Sequence, residues 1–267
     1  MSDHTIIAVK HQSGTRYDSC FILGDNEVPY VVWFEDAVLL YGVPTVVFDL
    51  YILVPDLGVA SRCLIKAGWA LDTESPRRIG DAEVDIPQIP LLCPNGATKT
   101  VLLLASDWKV SLTASSPFDH VSLTLASMVD GVRITERLPD KTASFPTLPG
   151  LLDALIESWL DGPSNHNVLH HLAIMLNYLY AYALALKEAS FADQLRYEHR
   201  QFHYDLLSGM DSSTLLFREH ERKIREALLV GEYKLQRCSA PDSKDLFPSW
   251  EGVRLPDPPE GEFRSAD

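Results

Sequence analysis

The stretch VVWFEDAVLLYGVPTVVFDLYILV, from Val31 to Val54, constrains the fold more than any other part of the chain. β-Branched and aromatic residues predict one strand over 30–34 and a second, TVVFDLYILV, over 45–54. Between them Glu35 and Asp36 open a short helix, where acidic residues complement the helix dipole, and Gly42 closes it. Strand, short helix and strand in this order commonly carry chemistry at the strand ends. The side chains offered there are Glu35, Asp36 and Asp49, beside the bulky Phe34, Tyr41 and Tyr51.

The surrounding chain is that of a globular protein. Its 267 residues can bury a sizeable core, and no apolar run reaches the roughly 18 residues that a membrane span requires. The N-terminal MSDHTIIAVKHQSG lacks the continuous apolar segment of a secretory signal, so a cytoplasmic protein is expected. A formal net charge of −14 argues against a broad electrostatic grip on nucleic acid. Four cysteines, Cys20, Cys63, Cys93 and Cys238, have neither redox nor metal-ligand spacing and are expected as free thiols.

Further strands are expected at TIIAV (5–9), TVLLLAS (100–106) and GVRITERL (131–138), the last at a sheet edge. PDLGVASRCLIKAGW predicts a helix from the spacing of Leu57, Ala60, Leu64 and Ala67, closed by Gly68, and the polar interval after it predicts a loop or exposed hairpin. From Phe145 the pattern becomes helical. Thr147 is placed to cap a helix ending at Asp161-Gly162-Pro163. HNVLHHLAIMLNYLYAYALALKE, apolar almost all round, predicts a buried central helix. Ser190 and Asp193 predict the start of a helix ending at Gly209, and a last helix closes at Gly231. The expected fold class is thus α+β: a mixed-sheet α/β domain over 1–145, a helical domain packed on it over 146–239, and a disordered tail over 240–267.

The opening stretch resembles the nucleotidyltransferase-fold superfamily, in particular its minimal, toxin–antitoxin-like branch and a set of fungal relatives. Phe34-Glu35 falls where that family has a glycine pair, and Asp49-Leu50-Tyr51 falls on its Asp-x-Asp motif. Thr100-Val101-Leu102-Leu103 falls on the strand bearing the third carboxylate, with Leu102 in its place. In the family, small residues let backbone N–H groups approach a triphosphate, while the carboxylates hold Mg²⁺ against it. Here Phe34 and Glu35 fill the phosphate cradle, and Tyr51 replaces a metal-binding carboxylate. Of the three carboxylates Asp49 survives; Glu35 and Asp36 could supply replacement ligands with it, and Asp81, Glu83 or Asp85 could swing in from the polar interval.

In the helical half, His166 with His170 and His199 with His203 stand four residues apart, a spacing that zinc sites use, yet without an HExxH context or a converging ligand set. No metal or cofactor is therefore expected. His171, Tyr178 and Tyr182 share a helix face suited to a pocket wall. FREHERKIRE, with alternating charge, reads as a solvated helix face, and Arg196-His199-Arg200 as a surface patch paired with Asp193 or Glu198.

These readings combine into an expected function: a degenerate nucleotidyltransferase-like fold, binding a small organic molecule in the crevice between the halves. Asp49, Glu35 and Asp36 are the candidate catalytic groups, and Phe34, Tyr41, Tyr51, His171 and Tyr178 the candidate substrate contacts. The chemistry expected is acid–base isomerisation, dehydration or cyclisation in specialised metabolism, without nucleic-acid or membrane partners. A divergent Mg²⁺-dependent nucleotidyltransferase and a non-catalytic interaction pseudoenzyme are the alternatives.

Overall fold

The computed structural model describes residues 16–80, 82–94, 96, 98–112, 123–125, 143–162, 166–212 and 214–240. Strands β1 (Val31–Val32), β2 (Leu50–Val54), β3 (Ala70–Leu71), β6 (Gln88–Leu92) and β7 (Lys99–Leu104) form one mixed sheet in the order β1-β2-β7-β6-β3. β2 and β7 run parallel, and the other neighbouring pairs are antiparallel. Every residue of β2 is buried, as its unbroken apolar sequence demands. The expected strand over 45–54 begins only at Leu50, and Val46 and Phe48 before it are exposed. Helix α2 (Phe34–Leu40) starts where the 30–34 strand was expected to end, which cuts β1 to two residues.

Residues paired across the sheet share a face. Tyr51 lies opposite Val101, and Leu103 opposite Gln88, so these four project to one side. Leu50, Ile52, Thr100 and Leu102 project to the other, where helix α1 (Asp18–Asp25) reaches Thr100 through a Ser19–Thr100 hydroxyl bond of 3.1 Å. Helix α3 (Leu57–Lys66), capped by Asp56 accepting from the Val59 N–H at 2.8 Å, packs on α1 and on β7. A hairpin of β4 (Arg78–Ile79) and β5 (Ala82–Glu83) occupies the polar interval, with Arg78 and Glu83 exposed and Ile79 buried.

The helical half comprises α4 (Leu148–Asp161), α5 (His166–Tyr182), α6 (Arg200–Leu207) and α7 (Leu215–Leu229). Thr147 caps α4 by accepting from the Gly150 N–H, and Thr214 caps α7 in the same way from Phe217. Two predictions need correction. α5 is not buried all round, because Asn167, His170, Asn177, Tyr178, Ala181 and Tyr182 form an exposed stripe. The helix expected from Ser190 to Gly209 is broken into 3₁₀ turns at Phe191–Gln194 and Tyr197–His199 before α6. Ser190 makes no capping bond, and Leu195 and Arg196 are extended, which brings the Arg196 N–H to Asp153 of α4. A tertiary contact overrides the local helical pattern there.

The halves are joined by polar bonds. Ser158 donates to the Trp108 carbonyl at 2.9 Å, and Tyr41 donates to the Pro146 carbonyl at 2.5 Å. β9 (Ser144–Pro146) pairs with β8 (Leu123–Leu125). The strands expected at 5–9 and 131–138 and the tail after Ala240 lie outside the described residues. All four cysteines are free thiols. Among the described residues no helix is long and apolar enough to cross a membrane.

Candidate functional site

Phe34 stands at the centre of the sheet face that carries Tyr51. Its ring meets Tyr51, Trp108 and His171 edge-to-face, with centroids 5.2, 4.8 and 4.8 Å away, and it is fully buried. Such edge-to-face pairs each add roughly 0.5–1.5 kcal/mol beyond area burial. Phe34 also has φ = 51°, a left-handed backbone that costs an L residue roughly 1–2 kcal/mol. The ring's packing outweighs that cost and holds the start of α2 against β2.

Glu35 follows directly and is 3% exposed. Its Oε1 lies 3.5 Å from His171 Nε2 on α5, while its Oε2 and the His171 Nε2 have no hydrogen-bond partner. Burial, and then the nearby charge of Asp36, pushes the Glu35 carboxyl up to about 7. Burial pushes the His171 imidazolium down to about 4, with His170 adding to the fall. Near neutral pH the pair is therefore a half-titrated carboxyl beside a neutral imidazole, in an apolar box.

The β4–β5 hairpin closes the box. Tyr51 accepts from the Gly80 N–H at 2.9 Å, and Asn167 of α5 holds the hairpin by donating to the Glu83 carbonyl at 3.1 Å. Gly80 has φ = 55°, and a Cβ there would come within 3.3 Å of the His171 ring and 3.7 Å of Glu35. Only glycine lets the backbone lie this close to both groups. Gln88, from β6, reaches the same hairpin: its Oε1 accepts from the Arg78 N–H, and its buried Nε2 is without a hydrogen-bond partner.

The remaining candidates lie elsewhere. Asp36 is clamped by Arg16, whose Nε and Nη2 donate to its two oxygens at 2.8 and 2.7 Å, and Tyr17 adds a third bond. Arg16 also donates to the Phe48 and Asp49 carbonyls, so Asp36 fixes the start of α2 to the segment before β2. The Asp49 carboxylate pairs with Lys99 at 3.4 Å, and Lys99 also meets Asp72 at 3.6 Å. Tyr41 is spent on the Pro146 carbonyl, and Tyr178, two turns beyond His171, is exposed against Tyr182. Glu83 and Asp85 pair outward with Arg78 and Arg77, and Asp81 lies outside the described residues. The alignment that put Leu102 in a carboxylate's place also needs correction. Leu102 pairs with Ile52 on the opposite face, and Val101 is the residue beside Tyr51.

The structure thus brings together Glu35, Phe34, Tyr51 and His171 and separates them from Asp36, Asp49, Tyr41 and Tyr178. It adds Gly80, Gln88 and Trp108. Gln88 carried a usable signal, a polar residue inside the apolar run IPQIPLL; Gly80 and Trp108 carried none.

The paired histidines of the helical half engage separate partners. His199 is fully buried between Asp153 and Glu157, at 2.7 and 2.8 Å, and His203 meets the Tyr180 hydroxyl at 2.9 Å. The patch expected on the surface is therefore partly interior, although Arg200 does pair with Asp193. The chain matches no protein-family model and no curated protein.

Proposed function

We propose that this protein is a small-molecule acid–base catalyst in which Glu35 moves the proton and His171 orients it. The reading rests on one observation: two buried polar atoms without hydrogen-bond partners, on Glu35 and His171, in a box of Phe34, Tyr51 and Trp108. A carboxyl raised toward neutrality by burial can both donate and accept a proton at working pH. In the protonated state Glu35 delivers its proton to a substrate oxygen or unsaturated carbon. The resulting carboxylate then takes a proton from a neighbouring carbon and returns to the acid form. The sum is redox-neutral and fits isomerisation, dehydration or cyclisation of an apolar, oxygenated molecule. The edge of the box nearest solvent is the His171 side chain, 12% of which remains exposed.

The α/β half is proposed to be a degenerate nucleotidyltransferase fold. Its support is Phe34, whose left-handed backbone stands where the resemblance puts the family's glycine. Phosphate handling is disfavoured by the partners of the carboxylates: Asp36 belongs to Arg16, Asp49 to Lys99, and neither converges with Glu35.

A thermal-shift screen of apolar oxygenated molecules, followed by turnover of the hits in D₂O, tests the reading. The expected result is a hit that stabilises both wild type and Glu35→Gln but incorporates solvent deuterium only with wild type, with a rate inflection near pH 7. Undiminished turnover by Glu35→Gln would sink it. Stabilisation only by ATP or CTP with Mg²⁺ would replace it with nucleotidyl transfer.

A further inference from the structure

A second cluster lies in the helical half, away from Glu35 and His171. Asp205 projects from α6, and His220 and Glu221 project from α7; their exposures are 0, 1 and 2%. One ligand atom from each lies within 4.8 Å of the others. Asp205 is well supplied with donors. Its Oδ1 accepts from Gln201 at 3.0 Å and from the Ser239 N–H at 2.7 Å, and its Oδ2 accepts from the Ser239 hydroxyl at 2.5 Å. The same hydroxyl lies 2.6 Å from His220 Nε2. Serine, histidine and aspartate so arranged suggest a nucleophile, but all three are sealed from solvent and no substrate could reach the oxygen.

Glu221 is satisfied by this network only in part, through a hydrogen bond with Asp205. Its Oε1 is buried without a hydrogen-bond partner and faces His220 Nε2 at 4.0 Å. A buried carboxyl oxygen with nothing to accept from carries a desolvation cost that a cation would offset.

We propose that Asp205, His220 and Glu221 bind one divalent transition-metal ion, with the Ser239 hydroxyl completing the shell. One imidazole nitrogen with carboxylate oxygens suits Zn²⁺ better than Mg²⁺ or Ca²⁺, which favour oxygen alone. Zinc bonds of about 2.0–2.2 Å place tetrahedral donors roughly 3.3–3.6 Å apart. Reaching that spacing requires the Ser239 hydroxyl to exchange its short hydrogen bonds to Asp205 and His220 for the ion, and Glu221 Oε1 to close on His220 Nε2 from 4.0 Å. With all its donors from the protein and no exposed position, the site is structural. It ties α6 and α7 to the 236–239 segment, which already reaches Gln201 through the Gln236 N–H and Asp205 through Ser239.

The test uses the full chain. Purified protein is stripped with chelator, loaded with Co²⁺ or Zn²⁺, and dialysed. Wild type is expected to retain one equivalent, to show the visible absorption of four-coordinate Co²⁺, and to gain several degrees in Tm. Glu221→Gln preserves the shape of the neutral acid, so its metal-free Tm should match that of metal-free wild type while the retained metal and the Tm gain disappear. Equal retention by both proteins, whether at the exposed His170 or elsewhere, overturns the assignment, as does a wild type that retains nothing. Should Glu221→Gln not fold, His220→Gln read by the same Co²⁺ spectrum decides between the same two outcomes.

Discussion

His171, partly buried, and His199, fully buried, both stand beside glutamate, yet the protein treats them oppositely. His171 stands 3.5 Å from Glu35 amid aromatic rings and is driven neutral. His199 is gripped at 2.7 and 2.8 Å by Asp153 and Glu157, and although burial opposes its charge, the two carboxylates raise its pKa. Arg225 supports the Glu157 side at 3.2 Å. Burial removes charge unless hydrogen bonds to an ionised partner return more than desolvation takes. One site is therefore poised to exchange a proton, and the other holds its proton as a structural cation.

The largest test of this contrast is His199→Leu, which removes the cation between Asp153 and Glu157, whose side chains are 13% and 22% exposed. Urea denaturation near pH 6 should show a loss of about 3 kcal/mol, the lower end of the cost of breaking a buried pair, because Arg225 still faces Glu157. Because the His199 pKa is raised, its contribution is fully present below pH 6.5 and is lost as pH rises through the folded-state value. The gap between wild type and variant should accordingly narrow in alkali; a gap independent of pH would mean that packing, not charge, holds His199.

Glu35→Gln comes next. A carboxyl raised from 4.5 to about 7 destabilises the fold progressively as pH rises across that window. The glutamine variant should gain about 3 kcal/mol relative to wild type between pH 4.5 and pH 7.5. His171 acts in the reverse direction, since its lowered value costs stability as pH falls from 6.5 to about 4. His203, lowered to about 4, acts in the same direction as His171, and Glu221, raised by burial, acts in the same direction as Glu35. Wild type should thus be nearly flat between pH 4.5 and 6.5, and Glu35→Gln should uncover a rising slope there. Chemical denaturation across this pH range reads both.

Lys99→Met is the smallest change. The Asp49–Lys99 contact is part-exposed, so equilibrium unfolding should report a loss of under about 1 kcal/mol. The Glu35-dependent pH profile should move only slightly, since Asp49 is the last of the charges that act on Glu35; a large shift would make Asp49 a principal partner of Glu35.

What could be read from the sequence follows the range of the interactions involved. Helices α3, α4 and α7 were legible because the apolar spacing, the Thr147 cap and the closing glycines Gly68 and Gly231 are local. The grouping of Phe34, Glu35 and Tyr51 was legible from one strand–helix–strand spacing. Gly80 was not, since its role depends on a hairpin folding back onto α5. FREHERKIRE misled for a related reason. Alternating charge reads as solvent exposure, but His220, Glu221 and Arg225 are interior, where partners distant in sequence receive them: Ser239, Asp205, Glu157 and Asp161. Compensation between remote charges leaves no periodicity to detect.

Phe34 carries one more consequence. Its peptide already adopts the conformation that glycine favours, so the backbone at this corner does not distinguish a bare turn from one filled by an aromatic ring. Exchange between the two states calls for no new loop, register or helix start, only for a different side chain in an existing socket. Glycine at this corner would relieve the left-handed backbone while emptying the socket, so Phe34 sets backbone ease against the packing of one ring.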